Sequence, residues 1–141
     1  LLDERFPCWQ DIEWYIRLSR NWKFLSVPET LVRIRQDEDR EHISDDFDQI
    51  RDTALELFAE KYQPLARGYG RLFRREFMGW LEFRVGAYNA LRIGRYASAR
   101  QHLLRAVWYY PFAWQFWVYL VVALGGRPLY KAGRWMKRRT A

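Results

Sequence analysis

The sequence predicts a mainly α chain with a small β element, and three observations carry that expectation. Apolar residues recur at three- and four-residue spacing over most of the chain beyond Ser44. Two short stretches, Lys23–Val27 and Leu31–Arg35, mix or alternate apolar and polar side chains as strands do. Proline and glycine then punctuate the helical pattern at Pro64, Gly68, Gly70, Gly94, Pro111 and Gly125-Gly126.

The elements follow in order. Ile12, Tyr15, Ile16 and Ser19 share one helical face and Trp14 and Leu18 a neighbouring one, which predicts a helix from Gln10 to Arg20. Pro28-Glu29 separates the two strands. The run Gln36–His42 is too polar to bury and reads as a loop. Ser44 can cap the next helix, with Asp45 and Asp46 on its positive end. Phe47, Ile50, Ala54, Leu57 and Phe58 form its apolar stripe, which continues to Tyr62, and Gln63-Pro64 is expected to stop it. Gly68 and Gly70 mark a joint. Beyond it Phe73, Phe77, Trp80, Leu81, Val85, Tyr88 and Leu91 predict a helix to Gly94, followed by helices over Tyr96–Tyr110 and Phe112–Leu124. Pro128 opens a short basic segment. These breaks suggest three regions: 1–66, a helical 67–126, and a basic amphipathic tail, 127–141.

The 141 residues suit one domain, or part of one with an appendage. Leu1-Leu2-Asp3-Glu4-Arg5 reads as the middle of a longer chain. The net charge of +7 is uneven: acids gather in Asp37–Asp52, whereas Arg127–Arg139 carries none, so an anionic partner is expected there. The single cysteine, Cys8, excludes an internal disulfide framework and an all-thiolate metal site. It reads as a small apolar residue beside Trp9.

The stretch Phe6–Leu18 carries the most chemistry. Asp11 stands at the mouth of the first predicted helix among aromatics, where the helix dipole favours the ionised form. A carboxylate so placed suits a general base that removes a hydroxyl proton. Trp9 and Trp14 offer flat surface to the C–H face of a sugar ring, and Gln10 and Glu13 offer hydrogen bonds to hydroxyls. Arg17, one to two turns on, can orient a carboxylate or approach a phosphate. The same Asp11 would also serve as a helix cap, and Trp14 as a core residue.

Taken with Val27-Pro28-Glu29 and Leu31-Val32-Arg33, the run Trp9-Gln10-Asp11-Ile12-Glu13-Trp14-Tyr15-Ile16-Arg17-Leu18 resembles, in order and spacing, the second half of family 2 glycosyltransferase domains. The resemblance covers about Leu1 to Tyr62. It implies the acceptor-side remnant of a GT-A α/β domain, with Asp11 as base and a sugar passed from a nucleotide- or lipid-phosphate donor to a glycan or lipid-linked acceptor. It further implies a divalent metal, Mg or Mn, whose ligands lie mostly outside this chain, as does the donor-binding half. Relatives often place a histidine soon after the Leu-Val-Arg strand. Here Gln36 and acids occupy that place and His42 comes later, a weak metal candidate beside Asp37, Glu38 and Asp39.

In the second half, Gly94-Arg95-Tyr96-Ala97-Ser98-Ala99 with Ala106 and Pro111 resembles the second helix of a tetratricopeptide unit, implying a C-terminal helical hairpin or bundle. Phe83 and Ala87 depart from that pattern in the preceding helix. A non-enzymatic helical module binding a peptide or partner helix is therefore the second function class. From Ala106 to Gly126 no residue is charged, a length that admits a membrane span. Pro111, Gln115 and six tryptophans and tyrosines favour helix packing or shallow interfacial contact instead. With the tail on anionic lipid, the expected location is cytoplasmic, at the inner face of the membrane. A nucleic-acid partner is not expected, because the cations lie along a terminal helix with no reading motif.

Overall fold

The computed structural model describes residues 2–32 and 46–140, with side chains to residue 133. The described residues are mainly helical, in the order α1 (Gln10–Ser19), α2 (Phe47–Gln49), α3 (Leu55–Gly68), α4 (Arg71–Phe83), α5 (Tyr96–Tyr109) and α6 (Trp114–Thr140). A π-helical turn, Ile50–Ala54, joins α2 to α3, and a second π-helical segment, Arg84–Ala90, extends α4.

Several expectations need correction. Among the described residues there is no strand: residues 23–32 carry no regular secondary structure, and 33–35 lie outside the description. A strand needs a neighbour to receive its ladder of hydrogen bonds, and the described residues offer none. Pro64 does not stop its helix, because α3 runs through it to Gly68. Both Pro64 and Glu60, whose carbonyl loses its partner, face solvent, where water can replace the missing bond. Ser44 and Asp45 lie outside the description, and the observed cap is Asp46, whose carboxylate accepts from the Gln49 amide at 3.0 Å. Gly125-Gly126 does not end the last helix. Gly126 kinks it at φ 63° and ψ −150°, beyond which it continues through Pro128. Trp14 is not a core residue but half-exposed.

The core is one cluster running from Phe6 to Ala123. The stripe Phe47, Ile50, Ala54 and Phe58 is buried in it as the spacing predicts. Phe58 receives the edges of Phe6 and Trp9 at ring-centroid distances of 5.8 and 5.9 Å, which seats the start of α1 on α3.

Two glycines set the second half. A Cβ on Gly79 would meet Tyr110 and Phe116 at 3.0 and 3.1 Å, and one on Gly86 would meet Leu103 and His102 at 3.0 and 3.1 Å. Gly79 thus opposes Ala106 while Gly86 opposes Ala99, so α4 with its π extension runs antiparallel to α5 at close approach. Between them Glu82 and His102 form a buried pair, Oε2 to Nδ1 at 2.6 Å. Phe116 of α6 stacks on Phe83 at 4.9 Å and closes the layer.

Candidate functional site

Trp9 precedes α1 in a left-handed conformation, φ 63° and ψ 16°, that a bulky side chain rarely adopts. Its ring is buried against Phe58, and the Arg84 guanidinium lies 5.8 Å from the ring centroid. Gln10 fixes the same turn by donating from Nε2 to the Phe6 carbonyl at 2.6 Å. The strained turn swings the first residues of α1 toward the π-helical segment.

A hollow of about 720 Å3 opens between these two elements. Trp9, Gln10, Asp11 and Trp14 line it from α1 and its entry turn, and Arg84, Tyr88, Asn89 and Arg92 line it from the opposite side. Asp11 is exposed on its wall and is neither the helix cap nor sealed in the core. Its carboxylate makes no hydrogen bond or ion pair among the described residues, so a ligand can reach it. Cys8 is buried at the same wall, and burial, reinforced by the charges of Asp11 and Asp46, pushes its thiol up and keeps it protonated.

Arg84, Tyr88 and Arg92 are contributions that the motif did not predict. Arg84 and Tyr88 lie four residues apart on the π segment, Arg92 follows in the turn after it, and π segments cluster at functional sites. A guanidinium such as that of Arg84 opposite a carboxylate can hold an anionic group while the carboxylate accepts a proton from a neighbouring hydroxyl.

Glu13 and Arg17 go elsewhere. Glu13 is fully buried on the opposite face of α1 and does not line the hollow, so it does not present hydrogen bonds to a ligand there. Its carboxylate accepts from the Tyr62 hydroxyl at 2.9 Å and pairs with Lys61 at 2.8 Å. Desolvation pushes this carboxyl up, but the hydrogen bonds from Lys61 and Tyr62 outweigh it and hold the group below its ordinary range. Lys61 also reaches Asp3 at 2.6 Å, and Arg5 grips the same carboxylate in a fork. The Arg5 and Lys61 bonds hold Asp3 far below the usual carboxylate range. Arg17 turns to Glu13 at 3.4 Å.

Among the described residues the hollow presents one carboxylate, that of Asp11, beside two arginines, which is not the donor set of a divalent metal. Among the described residues no group of three or more His, Cys, Asp or Glu could hold one. His42, Asp37, Glu38 and Asp39 lie outside the described residues. No family model, curated protein or solved structure matches the chain.

Proposed function

We propose that this chain forms the acceptor side of a glycosyltransferase, in which Asp11 removes the proton from an acceptor hydroxyl as its oxygen attacks the anomeric carbon of an activated sugar. The observation that carries the reading is the exposed Asp11 carboxylate on the wall of the aromatic-lined hollow, opposite Arg84 and Arg92. The acceptor hydroxyl would lie against Asp11, with its sugar ring on the exposed Trp14, while Trp9 is buried against Phe58 and offers no open face. The O–H bond breaks as the new C–O bond forms, the proton goes to Asp11, and the bond to the phosphate-bearing leaving group breaks. Arg84, exposed on the opposite wall, suits the charge of a phosphate on either substrate.

A second observation supports the reading. Trp22, Phe24, Leu25, Val27, Leu31 and Val32 are all exposed on a segment that has no partner strand among the described residues. That is the surface expected where a sheet from a donor-binding half would lie, as the family resemblance implies. The chemistry requires that half, so the 141 residues alone would not transfer sugar. No step here is routed through a metal.

The test is turnover of the full-length protein carrying Asp11→Asn. Loss of about 100-fold or more, with acceptor binding retained, is the result expected for removal of a general base. Unchanged turnover removes Asp11 from the role. The antiparallel pairing of α4 with α5 favours the second reading, a non-enzymatic helical interaction module. That reading predicts a partner that binds equally well to the Asp11→Asn protein.

A further inference from the structure

We infer that the aromatic edge where α5 turns into α6 docks this protein on an anionic lipid surface. The first three turns of α6 are apolar on two faces. Phe116, Leu120 and Ala123 point into the core. Trp114, Trp117, Val118, Val121 and Leu124 repeat at the same helical spacing on the outside and are exposed. An amphipathic helix of a soluble protein carries polar residues on that side.

The stripe continues round the corner. Trp108 and Phe112 are 70% and 76% exposed, and Trp114 is 67% exposed. The corner is also fastened in place. The Trp117 indole N–H donates to the Pro111 carbonyl at 2.8 Å, Tyr110 packs against Phe112, and Arg75 donates to the carbonyls of Trp108 and Tyr109 at 2.7 and 2.9 Å. These aromatics therefore stand in solvent as a held edge.

Charge and residue type select lipid as the occupant. The last acidic side chain of the sequence is Glu82, which is buried, and eleven arginines and lysines follow it without one carboxylate side chain. Arg75 lies against the Trp108 ring at 5.8 Å, Arg105 precedes Trp108 by one turn, and Arg127 closes the uncharged run; all three are exposed. Tryptophans beside arginines are the chemistry of a bilayer's headgroup region, where rings sit in the apolar boundary and cations meet phosphates. No helix among the described residues is long and apolar enough to cross a membrane, so the edge lies on the surface rather than spanning it. In sequence, further arginines and lysines follow Arg127 without an acid.

A second groove adjoins the hollow. A groove of about 340 Å3, lined by Phe77, Trp80, Leu81 and Phe83, shares Arg84 and Tyr88 with the hollow. Trp80 in turn packs on Phe116 at 4.9 Å. Docking would place the chain on the surface that carries any lipid-linked molecule and raise that molecule's local concentration. The docking itself does not depend on sugar transfer.

The experiment is co-sedimentation of the 141-residue chain with phosphatidylcholine vesicles, with and without phosphatidylglycerol, alongside a Phe112→Ser/Trp114→Ser variant whose helicity is checked by circular dichroism. Pelleting should require the anionic lipid, fall with added salt, and weaken by about tenfold or more in the variant, from the loss of two buried aromatics. Brominated acyl chains should quench the wild-type tryptophan fluorescence, a readout that needs no variant. Chain lacking residues 127–141 should still be quenched. Three results each overturn the inference: no quenching of the wild type, loss of quenching with the tail alone, or vesicle-free self-association that the double variant abolishes. The last would assign the edge to a second copy of the chain.

Discussion

The two faces of α1 carry acids two residues apart that do opposite work. Asp11 looks into the hollow, exposed and without a hydrogen bond or ion pair among the described residues. Glu13 looks at α3, sealed from water and satisfied by Tyr62 and Lys61. One motif therefore splits into a reactive face and a structural face. The physical reason is rotation: a step of two residues turns a helix by about 200°, enough to send one carboxylate to solvent and the other into the core. A carboxylate already held by a lysine and a tyrosine has little to offer a substrate, whereas a carboxylate with no partner destabilises little when removed. The two faces should thus separate cleanly into variants that unfold and variants that fail to react.

Glu13→Ala should give the largest loss of stability. It removes the closer of the Tyr62 hydroxyl's two acceptors, leaving the backbone carbonyl of residue 13 at 3.2 Å, and leaves Lys61 without its buried partner. Breaking a buried pair typically costs about 3–5 kcal/mol, and Lys61 keeps Asp3 as a second partner, so a loss near the lower end, about 3 kcal/mol, is expected. Urea unfolding measures it. A loss below about 1 kcal/mol would mean that the two faces are not distinct in the way described.

Acid should reveal the same asymmetry. Glu13 and Asp3 titrate below their ordinary values of 4.5 and 3.8 in the folded chain. The unfolded chain therefore takes up their protons first as pH falls. The stabilisation is complete above about pH 5 and drains away through pH 4 and below. Thermal unfolding followed from pH 7 to pH 3 should show this decline, and Glu13→Gln should flatten it. A wild-type midpoint that stays level down to pH 3 would remove the Asp3–Lys61–Glu13 network from the account of stability.

The helices were largely legible because their information is local. The spacing of Ile12, Tyr15 and Ile16 places α1 to within one residue at its end, and Tyr96–Tyr110 matches α5 equally well. The burial of Glu13 is not legible in the periodicity, because its partners lie 48 and 49 residues away. One signal was present: Glu13 shares a face with Trp9, Ile12 and Ile16, so an acid there needed buried partners. The place of Arg84 and Arg92 is hidden for a similar reason, since arginine, tyrosine and arginine four residues apart read as a solvated face until α1 stands opposite. The two strands at 23–35 were inferred from side-chain pattern, which cannot supply the neighbouring strand that makes a sheet.

Asp11→Asn should give the smallest stability change and so sharpens the comparison most. Asp11 lies in the first turn of α1, where the helix dipole rewards a negative charge by about 0.3–1 kcal/mol at an exposed position. No hydrogen bond or ion pair among the described residues is lost with it. A loss of about 0.5 kcal/mol is therefore expected, shrinking as salt screens the dipole. Paired with Glu13→Ala in one urea series at low and high salt, it separates the two faces by a factor of several in energy. If Asp11→Asn instead matched the loss from Glu13→Ala, that carboxylate would be bracing the fold, and the hollow would lose its candidate base before any turnover was measured.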